Sequence, residues 1–501
     1  MRRIGIGRLA RVGAFVLTLL SVIAIDTPRA RADSESWDAV FLGGSKVGYM
    51  RIRVAPVEEG DRKLQRVLVD FVLDFKRGND KSTVEVQYGT IETPEGQVLR
   101  LDTRTMASRN VLRVHGDVIR GNMVLKIENG DQKQELSIPW TPDTFGPYGA
   151  ELSLSRKPIK PGEVRKVRTF VPDLNKVVEA TLSAKTLEPV PLGGGINRDL
   201  LRIDQDITFL DGKKAPEMSS TLWVDEGGQI LKTFTDANGG MVTYRTTKEA
   251  ALRNTGPKVD LIASQIVKLA RPINNSESTR SILYKATLTS GEPAEIFPSD
   301  RRQTVRKGTD SMSAMLEIKT AGPDDGAASS EAIGPEYLRA NPLITSNDPK
   351  VISLARRAIG SATDPWAKAQ AITKWVARNL KEKNFETTFA PADEVAQTLS
   401  GDCTEHAVLT AAMCRVAGIP ARVVTGLVYV PQQTGFGFHM WNEVYVNRRW
   451  VAIDSAYDET QVDAAHIKLS ESSLDGVAPF ESFLPVARIF GKLKLEAVEV
   501  R

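Results

Sequence analysis

Gly401-Asp402-Cys403-Thr404-Glu405-His406 is the stretch on which the reading of this chain turns. From Cys403 an apolar rhythm runs through Ala407, Val408, Ala411, Ala412 and Val416, at the spacing of one helix face. Gly418 and then Pro420 end it, as a glycine cap and a following proline do. Cys403 is therefore predicted at a helix N-terminus. There the unpaired amides and the positive end of the dipole stabilise a thiolate. The same amides can hold the oxyanion of a tetrahedral intermediate. Cys414 lies three turns further on among Ala411, Ala412 and Met413, where a buried filler is expected. These are the only two cysteines in the chain. On one helix they sit roughly 16 Å apart at about 1.5 Å per residue, beyond the reach of a disulfide.

A thiol nucleophile needs a base from elsewhere. His439 heads the apolar run Phe438 to Val446 after a loop, Gln432 to Gly437, with glycines at 435 and 437. Asp454 ends the run Trp450 to Asp454, and Asn447-Arg448-Arg449 between the two runs reads as a hairpin turn. That hairpin brings His439 and Asp454 within a few residues of facing each other. Asp454 can then orient the imidazole while His439 takes the thiol proton.

Four pieces now stand in order: Gly401-Asp402-Cys403, Ala417-Gly418-Ile419-Pro420-Ala421-Arg422, His439-Met440-Trp441-Asn442-Glu443-Val444 and Trp450-Val451-Ala452-Ile453-Asp454. In order and spacing they resemble the transglutaminase-like superfamily, over roughly residues 340–470. The resemblance implies a papain-like fold, a helix packed on an antiparallel sheet, with Cys403, His439 and Asp454 catalytic. The proline usual after the Asp is here Ser455, which is expected to alter a turn and leave the acid in place.

Neighbouring residues are weighed against plainer roles. His406 lies three residues after Cys403 on the same helix face; it is a second base or, preferably, a hydrogen-bonded structural or site-wall histidine. Gln397 stands where papain-like enzymes carry an oxyanion glutamine, although a surface helix position is the preferred reading. Trp441 shares a strand face with His439 and either shields the His–Asp bond or fills core. Glu405 complements the helix dipole, Arg422 holds structure through a carboxylate, and His115 and His466 receive no role. Cys403, His406, Cys414 and His439 lack the paired spacing of a zinc site, so neither metal nor cofactor is expected.

Outside this region the chain is read from patterning. Its 501 residues exceed one ordinary core, and 41% hydrophobic with 26% charged residues is the balance of a folded protein. Residues 1–32 read as a signal peptide: Arg2, Arg3, Arg8 and Arg11, the apolar Gly13 to Ile25, and Ala30-Arg31-Ala32 before Asp33. An uncleaved membrane anchor is the alternative. Removing six Arg and one Asp takes the formal charge from +4 to near −1, so no basic face for nucleic acid is expected. Residues 33–250 alternate apolar and polar side chains between turn signals, as in Arg66 to Phe75, and predict an antiparallel sandwich or open barrel. Residues 251–335 read as a connecting β segment with a loop near 322–330. Residues 336–501 read as the helix-containing, α+β transglutaminase-like domain, with its core at 348–456.

The expected function is that of an exported, periplasmic or secreted thiol enzyme acting on amides of a protein or peptide through a thioester. Resolution by water makes it a peptidase or amidase, slightly favoured; resolution by an amine acceptor makes it an acyl transferase. A catalytically retired scaffold or binding protein is the competing class.

Overall fold

The computed structural model describes residues 33–501 apart from 78–79, 108–109, 130–131, 193–194, 237–239, 254–265, 327, 329–331, 381–389 and 476–483. The leader segment, the turn signals at Gly78-Asn79, Gly130-Asp131, Gly193-Gly194 and Asn238-Gly239, and part of the 322–330 loop lie outside the described residues.

Residues 34–246 form one hydrogen-bonded path of 15 strands. Strand Ser34–Leu42 is the seam. It pairs with Ser45–Glu59 on one side and with Met241–Thr246 on the other, Trp37 facing Thr246. From the seam, seven strands run outward as a meander and seven return, antiparallel apart from Thr144–Phe145 against Val164–Val171. The path does not close: among the described residues its end strands, Gln132–Pro139 and Thr144–Phe145, are not paired with each other. It curls instead. Val98, Leu101, Met123 and Leu125 from one arm share a core with Phe170 and Val177 from the other, and Trp140 packs on Phe170 at 5.8 Å between ring centroids. The period-two alternation has this cause, since Val67 and Val69 are buried while Arg66 is exposed and Leu68 and Asp70 are half-buried. The expected antiparallel β region is present, as an open curled sheet.

The curl also holds a helix that the sequence reading did not anticipate, Gly149–Arg156. Leu152 and Leu154 enter two different apolar clusters. Its Glu151 meets Arg245 at 2.9 Å, and Arg245 meets Asp38 at 2.9 Å. Burial pushes the Asp38 carboxyl up to about 6, against the pull of Arg245.

The C-terminal part has the expected helices. Pro349–Ile359 and Pro365–Asn379 each start at an Asp-Pro pair, the sequence signature of a capped first turn: the side chains of Asp348 and Asp364 cap the first amides, with proline in the first turn. Ala392–Thr398 and Cys403–Val416 follow. A five-stranded sheet stands beside them. In it Ala421–Val430 lies between Gly435–Val446 and His466–Ser472, and Arg449–Ile453 and Val267–Lys268 both pair with Gly435–Val446. A four-stranded sheet joins Ser281–Leu288, Gln303–Lys307, Ser313–Lys319 and the last strand, Leu493–Val500. The 281–319 strands thus share a sheet with the chain terminus.

Register explains how the five-stranded sheet serves two cores. Ala421 and Val423, with Met440 and Val444 of the neighbouring strand, join the helix core. Leu427 and Tyr429, with Phe436 opposite, join a second core with Ile282, Tyr284 and Leu316 of the four-stranded sheet. All these positions alternate onto one face, so helices cover one end of that face and the small sheet covers the other.

Candidate active site

Cys403 is the first residue of its helix, and the structure builds that start with care. The Asp402 side chain accepts from the Thr404 amide at 2.8 Å, and the Glu405 side chain accepts from the Asp402 amide at 2.9 Å, a capping box. Gly401 has φ +143°, and a Cβ there would strike the Glu405 side chain. Glu405 is more than a dipole partner. It is fully buried, and Oε1 accepts from the Ala390 amide at 3.0 Å, tying the preceding segment to the helix. Burial and the neighbouring Asp402 carboxylate push its pKa up to about 8. Cys403 is half-buried; Cys414 is fully buried, and burial pushes its thiol up to about 12. Neither is in a disulfide.

His439 lies on Gly435–Val446 between two partners on that strand's outer edge: Val267–Lys268 pairs with residues 435–436, and Arg449–Ile453 begins at Asn442. Asn442 faces Ile453, so the chain delivers Asp454 next to this gap. His439 Nε2 meets Asp454 Oδ2 at 2.6 Å, both residues buried. Asp454 Oδ1 accepts from the Ala456 amide at 2.8 Å, and the backbones of Asp454 and Glu459 exchange two hydrogen bonds of 2.7 Å. Although desolvation opposes it, the His439 and His466 imidazoles hold the Asp454 carboxyl far below the ordinary carboxylate range.

Helix and hairpin are fastened together. Asn442 Nδ2 donates to the Ala407 carbonyl at 2.9 Å. Thr410 Oγ1 and Ser455 Oγ lie 2.8 Å apart, and Ser455 also donates to the His406 carbonyl at 3.4 Å. Ser455, in the place where proline is usual, is therefore a polar link from the acid to the cysteine helix. Tyr457, in the 454–459 loop, packs against the histidines of the sheet. Its ring lies 5.1 Å from that of His439. Desolvation of its hydroxyl, then the Asp454 carboxylate, push its pKa up to about 12, although the residue as a whole is 46% exposed.

The remaining sequence candidates divide. Trp441 is buried and lies nearly parallel to His439, 6.1 Å between centroids and 18° between planes. Gly426 makes room for it, because a Cβ there would meet the indole. His406 is buried and donates from Nδ1 to the Asp402 carbonyl at 2.7 Å, the structural role preferred above. Gln397 is exposed at the end of its helix, and among the described residues no hydrogen bond or ring contact ties it to the site. Arg422 donates to Glu443 at 2.8 Å and lies over Trp450 at 4.1 Å. Tyr457 and His466 were missed. The only local signal was the short spacing from Asp463 to His466, which becomes legible once Asp454 has been placed.

The comparisons with known proteins fall on this region. Residues 352–455 match the family model described as transglutaminase-like superfamily. This part of the chain is a transglutaminase-like domain. Kyphoscoliosis peptidase of Mus musculus is 30% identical over 115 residues, 21% of this chain and 17% of that protein. An uncharacterized protein of Haemophilus influenzae is 33% identical over 96 residues, 18% of this chain and 26% of that protein. The match thus spans a sixth to a quarter of these relatives. A solved structure described as a candidate cysteine protease from Cytophaga hutchinsonii shares 17% identity, with 39% of this chain and 81% of that chain covered and a TM-score of 0.29. The transglutaminase-like domain occupies the helices, the cysteine helix and the His–Asp hairpin.

Proposed function

We propose that the transglutaminase-like domain performs thiol-based acyl transfer on amides of a protein or peptide, with Cys403 as nucleophile, His439 as proton carrier and Asp454 as its anchor. The observation that carries this is the 2.6 Å bond between buried His439 Nε2 and Asp454 Oδ2. With Nε2–H given to the carboxylate, Nδ1 is the ring nitrogen left to accept the thiol proton. The Cys403 thiolate adds to the carbonyl carbon, and amides at the start of its helix hold the oxyanion. The C–N bond breaks as His439 gives its proton to the leaving amine, and a thioester remains on Cys403. Water, or a second amine, then adds to the thioester and gives a proton to His439, and the C–S bond breaks to release the Cys403 thiolate. Hydrolysis is the favoured branch, because water is always at hand.

The leader-like segment 1–32 supports an exported setting, periplasmic or secreted, for this chemistry. Among the described residues no helix is long and apolar enough to cross a membrane.

The test is mass spectrometry of a peptide library incubated with and without a primary amine. Bond cleavage, deamidation of Gln or amine incorporation is expected, lost in Cys403→Ala and kept in Cys414→Ala. The reverse pattern removes the assignment, and no turnover at all leaves the domain as a binding scaffold.

A further inference from the structure

His466 begins a strand that lies one strand removed from the strand of His439, with Ala421–Val430 between them. Side chains so placed start roughly 10 Å apart, at about 4.8 Å per strand. The two rings are nevertheless 5.9 Å apart. Gly426, on the intervening strand directly opposite His439, brings no side chain to separate them. Asp454 occupies the junction. Its Oδ2 meets His439 Nε2 at 2.6 Å and His466 Nε2 at 3.2 Å. The other nitrogen of His466, Nδ1, meets Asp463 Oδ1 at 2.8 Å. Both ring nitrogens therefore face carboxylate oxygens. A neutral imidazole carries one N–H and satisfies one of them; the imidazolium satisfies both. At 1% exposure His466 has no access to water that could replace either bond.

We propose that His466 is a positioning residue of this site: a buried imidazolium behind Asp454 that shares the carboxylate with His439 and sets the charge felt at His439 and Cys403. The proposal rests on the thiol reading above. The groups facing His466 are Asp454, Asp463, Glu459 and Tyr457 from the 454–463 segment and His439 from its strand, with Arg302 donating to the Asp463 carbonyl at 2.6 Å. Burial works against the charge, but the hydrogen bonds to Asp454 and Asp463, with Glu459 nearby, carry the pKa of His466 up to about 9. His439, Asp454 and His466 also have the composition of a metal site. The spacing argues for the hydrogen-bonded arrangement: two ligands of one tetrahedral zinc lie roughly 3.3 Å apart, given bonds of about 2.0 Å, whereas His439 and Asp454 meet at 2.6 Å.

A positive charge about 6 Å away displaces a neighbouring ionisation by roughly one to two pH units at an effective dielectric of about 20. Removing it makes the site more negative, so the Cys403 thiolate forms at higher pH. The experiment follows iodoacetamide alkylation of the Cys403 peptide against pH in the full chain and in His466→Gln, which keeps a donor for Asp454 and loses the charge. The midpoint is expected to rise, by at most the roughly one to two pH units that the 5.9 Å separation of His466 from His439 sets. An unmoved midpoint in a folded variant overturns the proposal and leaves His466 as packing. A native midpoint at the ordinary thiol value of about 8.5 is a different result, because it removes the thiol reading itself. If His466→Gln does not fold, imidazole NMR of the Cys403→Ala chain, in which no thiol proton reaches His439, decides. One of its four histidines is expected to keep both N–H protons at pH 8, and four neutral rings at that pH overturn the proposal.

Discussion

Asp454 carries the heaviest duty of any single residue, because one buried oxygen serves two imidazoles. Asp454→Asn keeps the shape and loses the preference for Nε2–H on His439. Turnover of whichever peptide the library identifies should fall by roughly 10³- to 10⁴-fold, mainly in kcat, the scale seen where a triad acid is neutralised. A loss confined to KM would place Asp454 outside the chemistry. His466 gives a stability prediction of definite sign. Its folded pKa is raised to about 9 from an ordinary value of 6.5, so its contribution is full below about 6.5 and is lost as pH rises through 9. Denaturant midpoints of the native chain should therefore fall between pH 7 and 10 more steeply than those of His466→Gln; parallel curves would show that His466 does not titrate with folding. Much of this scale was legible in sequence. Cys403 declared itself by its place before an apolar helix, and His439 and Asp454 by a hairpin whose register needs only its turn. His466 was not legible, since its partner in the site comes from a strand two positions away and is reached only past Gly426.

Among the elements, the start of the cysteine helix has the least freedom. Gly401 takes a backbone angle that favours glycine, and any side chain there meets Glu405, whose carboxyl closes the capping box and holds Ala390. Gly401→Ala should cost about 1–3 kcal/mol, the range for a forced backbone or a lost cap, read as a lower denaturant midpoint. An unchanged midpoint would mean that the turn before Cys403 adapts without loss. The helices were readable because Asp348-Pro349 and Asp364-Pro365 state their own beginnings. The helix Gly149–Arg156 was not, because only Leu152 and Leu154 mark its apolar side and its buried Glu151 finds Arg245 far along the chain.

For the whole molecule, the sequence suggests a boundary near 335, with a connecting segment before it. Contacts run across that position. Leu493–Val500 pairs with Ser281–Leu288, Gln303 exchanges two hydrogen bonds of 2.9 Å with the Lys468 backbone, and Lys468 meets Asp300 at 3.0 Å and Glu443 at 3.0 Å. Pairing between strands more than 200 residues apart leaves no local pattern, which is why a linear reading divides the chain there. A fragment of residues 336–501 lacks three strands of the four-stranded sheet and the apolar cover of Leu427, Tyr429 and Phe436. It should unfold without a cooperative transition, whereas residues 266–501 should melt cooperatively when followed by circular dichroism. Cooperative melting of the shorter fragment would show that the small sheet is dispensable.

The central claim is that Cys403 takes up an acyl group. The direct measurement is acid-quenched peptide mapping after brief exposure to a p-nitrophenyl ester. The expected result is a hydroxylamine-labile acyl adduct on the Cys403 peptide, absent in Cys403→Ala and weakened in His439→Ala. An adduct on Cys414 or on lysines alone, or equal labelling with and without His439, would contradict the account.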